Sequence, residues 1–274
     1  MVRMLHGHAS HIWTLSFSKD GRWIATASDD STIRIWDLDT GETVHVLVGH
    51  TDRLTSVMFS ADRKKIVSGA RDETIRIWDT DTGNLVSTIS TQCSFSAAYS
   101  PNERLIASGS IDGLLEMRDA QTGNLICNFV GLGEPVWSIK FTPGGKYLAS
   151  AGENIVRIYS AETGTLQQTL EAGSIGNLGF NQDSSTLITS RGQIALDWSL
   201  PKDSSTKASW LGYCLDLDSS ESWVTWNGKR LLRLPMECGP ANHIVTDQMI
   251  VLGYPAGRIV ILEFDDDISL FDQQ

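Results

Sequence analysis

The chain has 274 residues, of which 41% are hydrophobic and 20% are charged, a composition that excludes a disordered or fibrous protein. Its formal net charge of −11 disfavours nucleic acid and anionic lipid as partners, because their phosphates repel an acidic surface. No apolar run approaches the roughly 20 residues that span a bilayer, and the opening "MVRMLHGH" lacks the apolar core of a signal peptide. We therefore expect a cytoplasmic globular protein.

Cysteine spacing gives no sign of a metal centre. There is no Cys-x-x-Cys pair and no zinc-ligand spacing among the four cysteines, Cys93, Cys127, Cys214 and Cys238. We interpret them as reduced core residues, with a disulfide or metal role as the alternative. No metal and no cofactor is predicted.

The first third of the chain contains two closely similar segments, "DDSTIRIWDLDTGE" at 29–42 and "RDETIRIWDTDTGN" at 71–84. A Thr-Gly pair that ends the early units recurs at Gly41, Gly83, Gly123 and Gly164. A large apolar or aromatic residue that ends a first strand recurs at Phe17, Phe59, Tyr99, Phe141, Phe180 and Leu217. Both markers keep a period of about 40 residues, so the chain is predicted to consist of repeats.

The elements of the first unit are predicted to be strands. The segments "IWTLSFS", "RWIATAS" and "STIRIWD" are short, rich in β-branched residues and separated by polar turns. No segment keeps a convincing helical period. Four short strands in each repeat of about 40 residues are typical of a β-propeller blade, so the predicted fold class is all-β.

The first two units carry "HGH…IWD" and "VGH…IWD", and on these motifs the chain resembles the WD-repeat family. The resemblance implies a hydrogen-bonded tetrad in each of these blades: His8, Thr26, Asp30 and Trp36, then His50, Ser68, Asp72 and Trp78. Ile and Trp of "IRIW" are expected to face the core, and Arg34 and Arg76 to face outward.

Units three and four lose these signatures. Arg118 and Tyr159 stand where the family has Trp, and neither unit has the Gly-His pair. We expect strand packing alone to stabilise these two blades.

Residues 210–264 are similar to the end of the propeller that terminates many fungal NACHT or STAND receptors of the heterokaryon-incompatibility kind. The matching positions are Trp223, Trp226, Gly228, Leu232, Leu234, Pro235, Gly257, Arg258 and Ile259. No P-loop occurs, since "GGKY" at 144–147 lacks the required glycine spacing and the Ser or Thr. The resemblance implies a ligand-sensing propeller without the nucleotide-binding part.

Counting units predicts a seven-bladed WD40 β-propeller over residues 1–265, followed by an acidic tail at 266–274. The last unit supplies three strands only, and we expect the N-terminal strand, "VRML" at 2–5, to join the last blade and close the ring.

An enzyme is not predicted, and no catalytic residue is assigned. The chain has no Gly-x-Ser-x-Gly elbow and no His-Glu-x-x-His, and "GLGEPV" at 131–136 ends in Val where a dinucleotide fingerprint needs Gly.

Protein binding is predicted instead, at the narrower mouth of the propeller, where residues that begin inner strands or precede turn carboxylates should gather. Aromatic and Arg side chains, the types enriched at binding hot spots, are frequent among them. The predicted top-face residues are His11, Trp13, Asp29, Arg53, Thr55, Arg71, Phe95, Ile111, Trp137, Tyr213 and Trp226. The alternatives are packing of Trp13 and Trp137 between blades, and solvation of Arg53 and Arg71 or their pairing with Asp29.

Three functions follow from these features. The first is the sensing propeller of a fungal STAND-type receptor, monomeric by itself or part of a larger oligomerising receptor. The second is a generic scaffold or adaptor; a ubiquitin-ligase receptor is disfavoured because Asp39 and Asp81 stand where that class often carries Arg. The third is a lectin or propeller enzyme, disfavoured because no carboxylate or metal cluster remains.

Overall fold

The computed structural model describes residues 5–92, 94–129, 133–173, 175–199, 204–211, 213–217, 222–226, 229–233, 242–245, 249–253 and 259–263. All regular secondary structure within these ranges is β-strand, which confirms the all-β prediction. In the same residues no helix is long and apolar enough to cross a membrane.

The described strands form seven sheets, numbered here in chain order, in which all strand pairings but one are antiparallel. Sheet one contains β1 (Ile12–Phe17), β2 (Trp23–Ser28), β3 (Thr32–Asp37) and β4 (Thr43–Val48). Sheet two contains β5 (Leu54–Phe59), β6 (Lys65–Ala70), β7 (Thr74–Asp79) and β8 (Leu85–Ser90). Sheet three contains β9 (Ser96–Tyr99), β10 (Leu105–Gly109), β11 (Leu115–Asp119) and β12 (Leu125–Phe129).

Sheet four contains β13 (Ser138–Phe141), β14 (Tyr147–Ala151), β15 (Ile155–Ser160) and β16 (Leu166–Glu171). Sheet five contains β17 (Leu178–Phe180), β18 (Thr186–Thr189), β19 (Gly192–Ala195) and β21 (Ser209–Leu211). Sheet six contains β22 (Tyr213–Leu217), β23 (Ser222–Trp226) and β24 (Lys229–Arg233). Sheet seven contains β25 (Asn242–Val245), β26 (Met249–Gly253) and β27 (Ile259–Glu263).

One strand departs from the rule that consecutive strands belong to the same sheet. β20 (Ser204–Lys207) pairs in parallel with β16, so it extends sheet four although it lies in sequence between two strands of sheet five. The repeat pattern did not predict this exchange.

The core lies between successive sheets. The two central strands of a sheet are buried on both faces, as in β2 and β6, where five of six residues are buried. Separate apolar clusters join sheets one and two, two and three, three and four, and four and five. Sheets stacked face to face in chain order are the arrangement of propeller blades.

The first strand of sheet one departs from this pattern. Ile12, Leu15 and Phe17 are 51%, 52% and 58% exposed. Their counterparts in sheet two, Leu54, Val57 and Phe59, are 0%, 6% and 4% exposed because sheet one covers them. An apolar face of β1 is therefore uncovered.

Several sequence predictions lie outside the described residues. Residues 2–4 of the proposed closing strand are among them, and Leu5 is not in a strand. The domain limit at 265 and the tail at 266–274 also lie outside. Cys127 is the one cysteine whose side chain is described; it is free and half-buried, and burial raises the pKa of its thiol.

Candidate functional site

The four residues predicted as a tetrad in sheet one form one continuous hydrogen-bonded chain. His8 Nδ1 lies 2.8 Å from Asp30 Oδ2, and His8 Nε2 lies 2.8 Å from Thr26 Oγ1. Trp36 Nε1 donates to the same hydroxyl at 2.8 Å. The hydrogen bonds link the segment before β1 to the middle of β2, to the β2–β3 turn and to the end of β3, so they fix the entry of the chain against the sheet.

Sheet two repeats this geometry. His50 Nδ1 lies 2.8 Å from Asp72 Oδ2, His50 Nε2 lies 2.8 Å from Ser68 Oγ, and Trp78 Nε1 donates to Ser68 Oγ at 2.9 Å. Because His50, Ser68 and Trp78 are buried, each of these hydrogen bonds replaces one to water, and loss of any partner leaves a buried polar group unsatisfied.

Burial and hydrogen bonding act in opposite directions on the charges of this network. Desolvation lowers the pKa of His50 below its ordinary value of 6.5, although Asp72 acts to raise it, so the ring is held neutral. Desolvation alone would raise the pKa of Asp72, but hydrogen bonds from Thr74, the Thr51 N–H and His50 lower it. The carboxylate therefore stays ionised beside a neutral imidazole.

Close packing disfavours a larger residue at the glycine of each Gly-His pair. A Cβ on Gly49 would lie 2.6 Å from Arg76 Nη1 and 3.1 Å from the Trp78 ring. Gly7 has the same relation to Arg34 and Trp36, at the same two distances.

This packing corrects the prediction that Arg34 and Arg76 face outward. Both are half-buried. The Arg34 guanidinium lies 5.8 Å from the centre of the Trp36 ring. The guanidinium packs against Gly7 and the Trp36 ring, and Arg34 Nε is buried without a hydrogen-bond partner among the described residues.

Sheet three replaces the tetrad with an ion pair, which corrects the expectation that strand packing alone stabilises it. Glu116 is 6% exposed, and its Oε1 lies 2.7 Å from Arg118 Nε. The hydroxyls of Thr91 and Ser108 donate to the same carboxylate oxygen. Arg118 also donates to the Gly123 carbonyl at 3.0 Å.

In sheet four the Trp position holds Tyr159, whose ring is fully buried and lies 4.9 Å from the ring of Phe129 in sheet three. An aromatic contact between sheets thus occupies this position. The Tyr159 hydroxyl also forms a hydrogen bond with Arg157, so strand packing is not the sole contribution expected from the sequence.

Backbone hydrogen bonds place the predicted top-face residues at the same end of their sheets. The Asp29 N–H donates to His11 O and the Arg71 N–H donates to Arg53 O. In sheets three and four, the Phe95 and Trp137 N–H groups make the corresponding bonds at the starts of the inner strands. We call the described members of this set the mouth face: His11, Trp13, Asp29, Arg53, Thr55, Arg71, Phe95, Ile111 and Trp137.

Asp29 joins the mouth faces of sheets one and two. Trp13 Nε1 donates to Asp29 Oδ1 at 2.6 Å, and Arg53 Nε lies 3.8 Å from the same oxygen. Trp13 is 62% exposed, so it does not pack between the described sheets. The Arg53 side chain is 46% exposed, so this ion pair adds little stability. The hydrogen bond to Asp29 orients the Trp13 indole, and the Arg53 guanidinium lies beside it in solvent.

An aromatic pair and a cavity lie on the mouth face of sheets two to four. The rings of Phe95 and Trp137 meet edge to face, 5.4 Å apart, and Trp137 is 37% exposed. A cavity of about 330 Å³ is lined by Arg71, Glu73, Phe95, Ile111 and Asp112, with others. The cavity combines one basic, two acidic and two apolar side chains. It can accept a polar group beside an apolar one.

The remaining two predicted top-face residues, Tyr213 and Trp226, lie opposite each other on β22 and β23. Their side chains fall outside the described residues. Thr55 donates its hydroxyl to the Gly69 carbonyl at 3.2 Å and is half-buried, so it supports the sheet.

Three further tryptophans serve packing. Trp23 is half-buried, with the Arg63 guanidinium 4.4 Å from its ring centre. Trp198 stacks on Tyr147 with ring centres 4.2 Å apart. Trp210 packs against the core between sheets four and five.

No cluster of three or more His, Cys, Asp or Glu side chains that could bind a metal occurs in the part of the chain that the structure describes.

Comparison with known proteins gives one match that covers most of the chain. The protein-family model described as "IFT122 first beta-propeller" matches residues 1–208. Shorter matches occur with U3 small nucleolar RNA-associated protein 21 of Saccharomyces cerevisiae, 58% identical over 41 residues, and with ribosome biogenesis protein ERB1 of Debaryomyces hansenii, 50% identical over 42 residues. A third is with the probable E3 ubiquitin ligase complex SCF subunit sconB of Arthroderma benhamiae, 46% identical over 44 residues.

These matches cover 15%, 15% and 16% of the chain, and 4%, 5% and 7% of the three relatives. They are therefore each about the length of one repeat.

Proposed function

We propose, from the premise that the chain belongs to the WD40 β-propeller family through its match to the IFT122 first beta-propeller, that it is a non-catalytic scaffold that binds a protein partner at the mouth face. The observation that carries this proposal is the exposed Trp13–Asp29–Arg53 cluster. The hydrogen bond to Asp29 orients the Trp13 indole, so binding a partner there costs less conformational entropy than it would with a free side chain.

The chemistry of the mouth face favours a protein over other partners. Trp and Arg are the residue types that dominate binding energy in protein interfaces. Phe95 and Trp137 add a second aromatic contact, and the cavity beside Arg71 accepts a projecting side chain. The net charge of −11 opposes nucleic acid, as does the presence of Asp29 between the two most exposed groups.

The names of the relatives support a role in assemblies. One is an SCF subunit and two others take part in ribosome biogenesis or associate with U3 small nucleolar RNA, by their names. We propose a scaffold role for this chain as well, without assigning it to any of these complexes.

A more specific role is that of the sensing propeller of a fungal NACHT or STAND receptor in the cytoplasm. The support is the sequence similarity of residues 210–264 to the end of such propellers. An adaptor for a multiprotein complex is the second candidate, favoured by the SCF relative. A transcript that joins this chain to an upstream P-loop domain supports the first, and one that encodes a different upstream domain supports the second.

For the ring we propose seven blades, closed by the N-terminal strand in the last blade, over residues 1–265. The support is the uncovered apolar face of β1, which a seventh sheet would cover in a closed ring just as sheet one covers β5.

The test is quantitative co-purification from a native extract. We compare the wild-type chain with Trp13→Ala and Arg53→Ala, and use Arg104→Ala, an exposed arginine on the β9–β10 turn, as the matched control. We expect each mouth-face variant to recover at least about tenfold less of a specific partner than wild type, as loss of a hot-spot residue does, and the control to recover the wild-type amount. Equal recovery by all four proteins contradicts binding at the mouth face.

A further inference from the structure

A second cavity lies at the other end of the inner strands from the mouth face. Its volume is about 290 Å³, and it is lined by the last residues of β1, β5, β9, β13 and β17. Aromatic side chains form much of the wall, among them Phe59, Tyr99, Phe141 and Phe180. Small-molecule sites are typically concave, mostly apolar and furnished with a few polar groups.

Lys140 is the unusual residue of this cavity. It immediately precedes the terminal aromatic of its inner strand, a position that holds Ser16, Met58, Ala98 and Gly179 in sheets one, two, three and five. Lys140 lines the cavity and forms no ion pair or hydrogen bond through its ammonium with the described residues. Burial lowers the pKa of this ammonium. Lys140 is half-buried, so its partly desolvated ammonium gains from an anion bound beside it.

Tyr99 lines the cavity, but its hydroxyl is not accessible from it. It is 4% exposed, and its hydroxyl is buried with no hydrogen-bond partner in the described part of the chain. Burial raises the pKa of Tyr99, and the charges of Glu103 and Asp62 act in the same direction. The hydroxyl thus remains a neutral donor.

From this arrangement we propose that the cavity binds a small organic acid with an apolar body. The carboxylate pairs with Lys140, and the apolar body packs against the exposed Phe17 and the half-buried Phe180.

The surrounding charges fix the direction of binding. Glu103 and Asp62 repel a carboxylate from the Tyr99 side, whereas Lys140 attracts it. The site is separate from the mouth face, so it does not depend on the protein-binding proposal.

The test uses three probe acids, phenylacetate, 3-phenylpropionate and 4-methoxyphenylacetate, each paired with its uncharged amide. Binding is measured by calorimetry to the wild-type chain, to Lys140→Met and to the exposed-lysine control Lys65→Met. We expect at least one acid to bind wild type and the control equally, at least about tenfold more tightly than its amide, because a charge-assisted contact is lost in the amide. Lys140→Met should weaken the binding of that acid by a similar factor.

Binding of none of the three acids overturns the proposal, as does equal affinity for acid and amide or unchanged affinity in Lys140→Met. Thermal unfolding checks the fold of the variant. Methionine is a neutral side chain of similar length, so Lys140→Met should melt at or above the wild-type temperature. A second measurement follows the ¹³C signals of reductively dimethylated lysines. The signal that is missing from the spectrum of Lys140→Met identifies Lys140. In the wild-type chain this signal should shift when the acid is added and stay in place with the amide. A signal that does not move with the acid contradicts the site.

Discussion

Glu116 and Arg118, two residues apart on β11, form a largely buried ion pair at the site where sheets one and two place Arg and Trp. Glu116 occupies the position of Arg76, and Arg118 that of Trp78. The Glu116 carboxylate accepts a hydrogen bond from the hydroxyl of Ser108, the counterpart of Ser68. A polar contact within the sheet is therefore kept, but between different residue types.

Glu116→Gln should destabilise the chain by about 3 kcal/mol, because it leaves the mostly buried Arg118 without a counter-charge. Chemical denaturation measures the loss. Glu42→Gln, an exposed glutamate, serves as control and should change the free energy of unfolding by less than about 0.5 kcal/mol. Equal effects of the two substitutions would mean that the pair contributes nothing.

Ser68→Ala should cost about 1–3 kcal/mol, since it leaves both His50 Nε2 and Trp78 Nε1 buried without their shared partner. The matched variant is Ser90→Ala, at the exposed end of β8, and it should be neutral. Unfolding curves of both variants decide the matter. A neutral Ser68→Ala would show that the tetrad does not stabilise its sheet.

Acidification should destabilise the chain through His50. Its folded-state pKa lies below the ordinary 6.5, so the unfolded chain takes up the proton first and stability falls as the pH drops below about 6.5. The lowered pKa of Asp72 acts in the same direction at still lower pH, as pH falls through the range below its ordinary 3.8. Melting temperatures from about pH 7.5 to about pH 5.5 should fall less steeply in His50→Gln than in wild type. The exposed-residue control, His11→Gln, should keep the wild-type slope; a parallel slope in His50→Gln would contradict the assignment.

Gly49→Ala should destabilise by about 1–3 kcal/mol, because the new methyl group meets Arg76 and the edge of the buried Trp78 ring. Gly144→Ala is the matched control: no heavy atom lies within 4 Å of its added Cβ. That change should be neutral or slightly stabilising. Thermal unfolding of the two single variants distinguishes close packing from a general effect of replacing glycine.

Deletion of residues 1–5 should lower the melting temperature by at least about 5 °C if the N-terminal strand closes the ring, because a sheet edge and the apolar face of β1 then stay open. Deletion of 266–274 should leave it within about 1 °C. Similar melting temperatures for the two truncated chains would argue against closure by this strand.

The repeat predicted the sheets well where local chemistry and tertiary packing agree. The segment "TIRIW" has β-branched residues at alternate positions and a turn carboxylate before it, and it forms the third strand twice. The family resemblance supplied the four members of each tetrad, which the structure brings within hydrogen-bond distance.

The features that sequence reasoning missed depend on tertiary neighbours. Arg34 was expected in solvent because alternation along β3 places it opposite Ile, but the Gly-His segment covers that side. Glu116 and Arg118 looked like the loss of a motif, although opposite charges two residues apart on one strand face were a usable sign of a pair. Lys140 was overlooked because a single lysine in a strand gives no pattern until the inner strands are aligned.

The parallel strand β20 has a consequence for how this chain can change over generations. Arrays of this kind ordinarily gain or lose whole units by duplication and excision, because each unit contacts only its neighbours. Here, cutting out the fifth unit would also strip the outer edge from the fourth, since β20 lies between β19 and β21 in sequence and pairs with β16. Loss of the fifth unit would therefore also alter the fourth.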